Sequence, residues 1–277
     1  MLDGMNAKHS ILAARAVRWM AGLLLWLAAE GGSAGTGGPD GAAVLEFADG
    51  RVRCVVESGQ LAGAAELAMK TALRTLPPPE APSTLAVRLL PPPPFYKRWF
   101  GAGSPHGMQR EDEIALQPEA DGVKLAFRLG HEMSHWLVAK SNPRRPPLWL
   151  DEGLAQRIGA QAAAAAGRTE KRGLARTPPD GWEACALTLD ELTGLGDYGG
   201  SPAASGAFYW QAERLVDALC ERLGRDDFLA YLSILSTPPV PGWQAPLRGR
   251  WWFNDSDFEA LARAIAPSTP NPTVPPK

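Results

Sequence analysis

The chain has 277 residues but only 3 cysteines. Cys54, Cys185 and Cys220 are too few for a disulfide scaffold and lack the paired spacing of a zinc finger. Being odd in number, they allow one intramolecular bridge at most if the chain is oxidised; three semi-buried thiols are the simpler expectation. Neither sign of charge is in excess: 28 Lys+Arg stand against 30 Asp+Glu, a net charge of -2. That excludes a strongly basic nucleic-acid binder as the default reading. Long apolar runs are missing too. The run Trp19 to Ala29 covers about 11 residues, against the roughly 20 that a membrane-spanning helix needs. Histidine is scarce, with 4 in the whole chain. What is plentiful is glycine, 29, and proline, 26, in a chain that is 45% hydrophobic and 21% charged. A sizeable core and many rigid connections are therefore expected.

The amino terminus carries Lys8, Arg15 and Arg18, then the apolar run, then Glu30-Gly31-Gly32-Ser33-Ala34. A basic region, a short apolar core and a small-residue exit are the layout of an export signal. Residues 1–34 are therefore expected to be a signal peptide or an uncleaved membrane tether. The chain is then exported to the bacterial periplasm, the cell envelope or the exterior. A buried amphipathic helix is the alternative. Residues 35–49 read as a linker, 50–266 as the folded domain and the proline-rich 267–277 as a disordered tail.

Within the domain, Arg51 to Val56 alternates polar and apolar residues, a strand signal. Gln60 to Leu76 has helical spacing and stops at three prolines. Thr84 to Leu90 and Asp112 to Gln117 read as further strands. The rest is mostly helical: Gly122 to Ser141, Asp151 to Ala166, Phe208 to Leu223, Asp226 to Ser236, and a last helix to Ile265 capped by Ser256 with Glu259. Strands first and helices after predict an α+β fold, a small mixed sheet followed by a mainly helical half.

The most informative stretch is His131-Glu132-Met133-Ser134-His135. In a helix, positions four apart lie about 40° apart on one face and about 6 Å along the axis. Two imidazoles so placed can share one cation, and zinc accepts such nitrogens at about 2.0–2.1 Å. Glu132, rotated from that face, suits a general base acting on water that zinc polarises. Hydrolytic zinc sites use three protein ligands. The metzincin pattern needs Gly and His where this chain has Val138 and Ser141, so that class is excluded. Downstream, Asn142 to Pro147 reverses the chain before Trp149-Leu150-Asp151-Glu152-Gly153. Antiparallel helices joined by this turn would bring Glu152 to the two histidines as third ligand. Asp151 reads as a helix cap or as a partner behind a ligand.

H-E-x-x-H followed by W-L-x-E-G-x-A resembles the gluzincin zinc metallopeptidases, and within them the compact peptidase MA-like proteins. Gly206 to Glu213, Leu215 to Leu219 and the Gly224–Phe228 turn are similar to that family's downstream helix. The resemblance implies a thermolysin-like catalytic core holding one Zn2+ through His131, His135 and Glu152, with Glu132 as base. It implies peptide or protein substrates laid along an edge strand, taken to be the strand at 112–117. It also matches Tyr209 to a tyrosine that steadies the oxyanion; an interfacial core aromatic is the alternative. The aminopeptidase segment G-x-M-E-N is not matched by Gly107-Met108-Gln109-Arg110-Glu111, so an endopeptidase is expected. The competing function is a catalytically inactive, metallopeptidase-like scaffold of the cell envelope. Retention of Glu132 argues against it, because a structural zinc needs only ligands. His106 and Pro143 to Pro146 read as exposed loops, and Trp251-Trp252-Phe253 as core packing.

Overall fold

The strands come first along the chain and pair into one five-stranded sheet; the second half is helical. In the computed structural model, the described residues are 41–89, 107–167, 181–197, 201–239 and 242–267. Residues 1–34, read above as an export signal or tether, the prolines at 91–94, His106 and the 267–277 tail lie outside them, apart from Pro267. Residues 39–277 form one unit. No helix among the described residues is long and apolar enough to cross a membrane.

The strands are β1 (Ala43–Phe47), β2 (Val52–Val56), β3 (Ser83–Leu89), β4 (Gly107–Arg110) and β5 (Glu113–Leu116), in the spatial order β1-β2-β3-β5-β4. β2, β3 and β5 run parallel; β1 and β4 close the two sides antiparallel. Strand period two explains the core face: Val52, Cys54 and Val56 are buried while Arg53 is exposed, and Leu85 and Val87 repeat the pattern on β3. α1 (Gly59–Thr75) is the crossover between β2 and β3 and buries Leu61, Ala65, Ala68, Met69 and Ala72. Cys54 is buried in this layer, and burial pushes its thiol up to about 12. All three cysteines are free.

Two long helices come after the sheet, α2 (Gly122–Ser141) and α3 (Leu148–Ala166). Asp121 caps α2, accepting from the N–H groups of Val123 at 2.9 Å and Lys124 at 3.3 Å. Next come a short 3-10 turn (Trp182–Cys185), α4 (Leu189–Gly194), α5 (Pro202–Leu223), α6 (Arg225–Leu235), α7 (Gln244–Trp251) and α8 (Asp255–Ile265). This is the expected α+β arrangement.

Several boundaries differ from the sequence reading. β1 lies inside the stretch read as linker, paired with β2 from Ala43 to Phe47. The edge strand is not 112–117: β5 pairs with β3 on one side and β4 on the other, so β4 is the edge. α3 starts at Leu148, so Glu152 sits beyond the helix's opening rather than at it. The last capping box is Asn254 with Asp257, not Ser256 with Glu259. Of the aromatic cluster only Phe253 is buried; Trp252, which has a left-handed backbone (φ 59°), is 82% exposed.

Small residues let the helices approach closely. A Cβ at Gly130 of α2 would stand 2.9 Å from Ala162 Cβ of α3. A Cβ at Gly153 of α3 would overlap the Ala212 carbonyl of α5. Helix propensity alone predicts that Gly153→Ala stabilises the protein by up to about 1 kcal/mol. The packing predicts the opposite, a loss of about 1–3 kcal/mol. Denaturant unfolding of the variant decides the sign; a higher midpoint would refute the close α3–α5 contact.

Candidate metal centre

α2 and α3 run side by side, joined by the Asn142–Pro147 turn, and their facing residues meet where the motif predicts. His131 and His135, one turn apart on α2, bring their Nε2 atoms to 3.2 Å. Glu152 Oε2 on α3 lies 3.4 Å from His131 Nε2 and 3.5 Å from His135 Nε2. Donors about 2.0–2.1 Å from a tetrahedral zinc stand about 3.3 Å from one another. The three observed separations are therefore the edges of one face of such a tetrahedron, and the donor set fits zinc. Among the described residues this is the one His/Cys/Asp/Glu group suited to a metal ion. His131 keeps 15% of its side chain exposed, against 6% for His135 and 4% for Glu152. His131 is thus the most exposed of the three.

The buried charges at this point are strongly coupled. Burial alone would lower the His135 pKa, but the Asp151 and Glu152 carboxylates outweigh it and hold the ring well above the usual histidine value. Burial alone would raise the Glu152 carboxyl, but the two imidazoles outweigh it and hold it well below the usual range. Charge complementarity thus holds Glu152 as a carboxylate facing the two imidazoles.

Behind His135 stands Asp151, with Oδ1 3.1 Å from Nδ1. An anionic oxygen there keeps the proton on Nδ1 and leaves the Nε2 lone pair for a metal. Of its two expected roles, Asp151 thus takes that of partner; position 147 is the cap, occupied by Pro147.

Glu132 projects towards the sheet. It is buried, and a Cβ at Gly107 would lie 3.2 Å from its Oε1. The carboxylate therefore rests against the bare backbone of the edge strand β4. The β4–β5 hairpin is tied to α2 at its tip: Trp136 Nε1 donates to Asp112 Oδ1 at 2.9 Å, and Lys140 Nζ reaches the same oxygen at 2.6 Å. Tyr209 on α5 lies across the site, its ring 6.4 Å from that of His131 and nearly perpendicular. Burial, with Glu152 and Glu132 nearby, pushes its phenol far above the usual tyrosine value, so the hydroxyl stays a donor at neutral pH.

Of the residues anticipated from the sequence, His131, His135 and Glu152 cluster, Tyr209 stands beside His131, and Glu132 turns to β4. Two further contributors carry no signal in the sequence. Gly107 falls in a stretch that reads as loop, and the four-residue strand it opens has little pattern of its own. Arg145 reads as part of a solvated turn; its guanidinium in fact reaches Asp151 Oδ2 at 3.5 Å and donates to Gln109 Oε1.

No family model matches the chain, and no curated protein matches its sequence. Among solved structures, an M1 zinc metallopeptidase from Deinococcus radiodurans is similar over 81% of this chain and 51% of its own, with 16% identity and a TM-score of 0.45. A two-domain M1 zinc metallopeptidase mutant bound to L-arginine is similar over 80% and 49%, with 12% identity and a TM-score of 0.43. The chain spans about half the length of each.

Asp151→Asn should keep the fold and weaken zinc binding about 10- to 100-fold, the range for a partner of a metal-ligating histidine. Competition against a chelator measures it; an unchanged affinity would remove Asp151 from the site.

Proposed function

We propose that the protein is a zinc-dependent peptide-bond hydrolase. The observation that carries this reading is the convergence of His131, His135 and Glu152 beside a fourth group, Glu132, that no structural metal needs. Bound zinc would be held by those three residues and would supply Lewis-acid polarisation of the scissile carbonyl and of water.

The chain's own residues account for the remaining steps. An extended peptide adds to β4 through main-chain hydrogen bonds, and Gly107 leaves that edge clear next to Glu132. Glu132 takes a proton from the attacking water as its oxygen bonds to the carbonyl carbon. The Tyr209 hydroxyl donates to the carbonyl oxygen as negative charge grows there. Glu132 then delivers its proton to the amine nitrogen as the C–N bond breaks, so water is consumed and two peptides leave. Asp151 holds the His135 ring in register throughout.

β4 and its turn read Gly107-Met108-Gln109-Arg110-Glu111. No carboxylate within the strand stands ready to hold a substrate amine, which supports endopeptidase action. Export belongs to the same proposal and rests on the residue pattern of 1–34.

Glu132→Gln should retain one zinc per chain and lower kcat/KM by about 10²- to 10⁴-fold on any peptide the parent cleaves. A variant that cleaves at the parent rate would end the general-base role. A zinc-loaded parent that cuts no unfolded protein or peptide would favour the scaffold reading instead.

A further inference from the structure

We propose that Arg145 is a positioning residue that locks the edge strand and the metal-ligand helices into one geometry. The assignment rests on the reading of His131, His135 and Glu152 as a metal site.

A carboxylate can orient a histidine ligand only if its own plane is held. Asp151 uses Oδ1 against His135 Nδ1 at 3.1 Å, and its other oxygen lies 3.5 Å from Arg145 Nη1. The second terminal nitrogen of the same guanidinium, Nη2, donates to Gln109 Oε1. The amide of Gln109 is fixed at its other end as well, Nε2 donating to the Glu111 carbonyl at 2.6 Å. Gln109 lies two residues from Gly107 on β4, so strand alternation puts both on the face that meets α2. One planar fork therefore connects the strand beside Glu132 to the carboxylate behind His135. The guanidinium hydrogen-bonds at one end and makes an ion pair at the other, a two-pronged reach that a single ammonium does not reproduce.

Arg145 is half-exposed, with 50% of its side chain in solvent. A pair so exposed adds little to stability. The expected effect of losing it is on the geometry and affinity of the metal site. This arrangement also explains a basic residue inside the Asn142–Pro147 turn, where chain reversal alone does not call for one.

The test uses the full-length chain carrying Arg145→Gln, Arg145→Lys or Gln109→Ala, with Asp151→Asn as reference. Three quantities are measured: zinc affinity by chelator competition, the visible spectrum of the cobalt(II)-loaded protein, and the melting temperature of the metal-free protein. Both Arg145 variants should bind zinc about three- to tenfold more weakly, below the loss for a direct outer partner. Their cobalt bands should shift, and their metal-free melting should match the parent's. Gln109→Ala, which frees the far end of the fork, should move affinity and spectrum in the same direction. Parent-like affinity and spectrum in Arg145→Gln would overturn the assignment, as would rescue by Arg145→Lys or no change in Gln109→Ala. A loss of affinity that tracks a fall in metal-free melting would make Arg145 a stabiliser of the turn and overturn it too. A parent that takes up no zinc would instead overturn the metal-site reading itself.

Discussion

The site depends on how closely α2 approaches α3. Glu152 meets His131 and His135 only because the two helix backbones come near enough for a glutamate side chain to span the gap. Small residues make that approach: Gly130 faces Gly159 and Ala162, and Gly159 in turn sits against the Phe127 carbonyl of α2. The alanine-rich end of α3 therefore has a packing purpose beyond helix propensity. Trp149, Leu150, Leu154 and Ile158 are buried as well, so close packing fixes α3 and with it the position of Glu152.

Around that contact the charges are arranged in layers. Two imidazoles and a carboxylate form the inner face. Asp151 holds one imidazole from behind, and Arg145 sits outside Asp151. The sheet joins this arrangement through the β4–β5 hairpin, pinned by Asp112 to Trp136 and Lys140 one and five residues past His135. The edge strand and α2 are thus held at a set distance, which the proposed reaction at a peptide carbonyl would require.

Much of this is legible in the residues themselves. The H-E-x-x-H spacing and the helix bounds at 122–141 follow from local rules of helical period and ligand chemistry, whereas Asp151 reads as cap or partner until α3 is brought against α2. The burial alternation of β2 and β3 follows from strand period. What escapes the sequence is non-local. β4 is four residues long and too short to show period two, and its place at the edge depends on β5 inserting between it and β3. The roles of Gly107 and Arg145 exist only once strand and turn are brought against α2 and α3. α4 and α7, six and eight residues long, are also too short for a periodic signal to stand out.

The most direct test of the central claim is zinc uptake by the full chain, compared with Glu152→Ala after metal loading and removal of excess metal. The account predicts about one zinc per chain in the parent and a markedly weakened site in the variant, since a third protein donor is lost. No zinc in the parent, or equal binding in the variant, would contradict a site built from His131, His135 and Glu152.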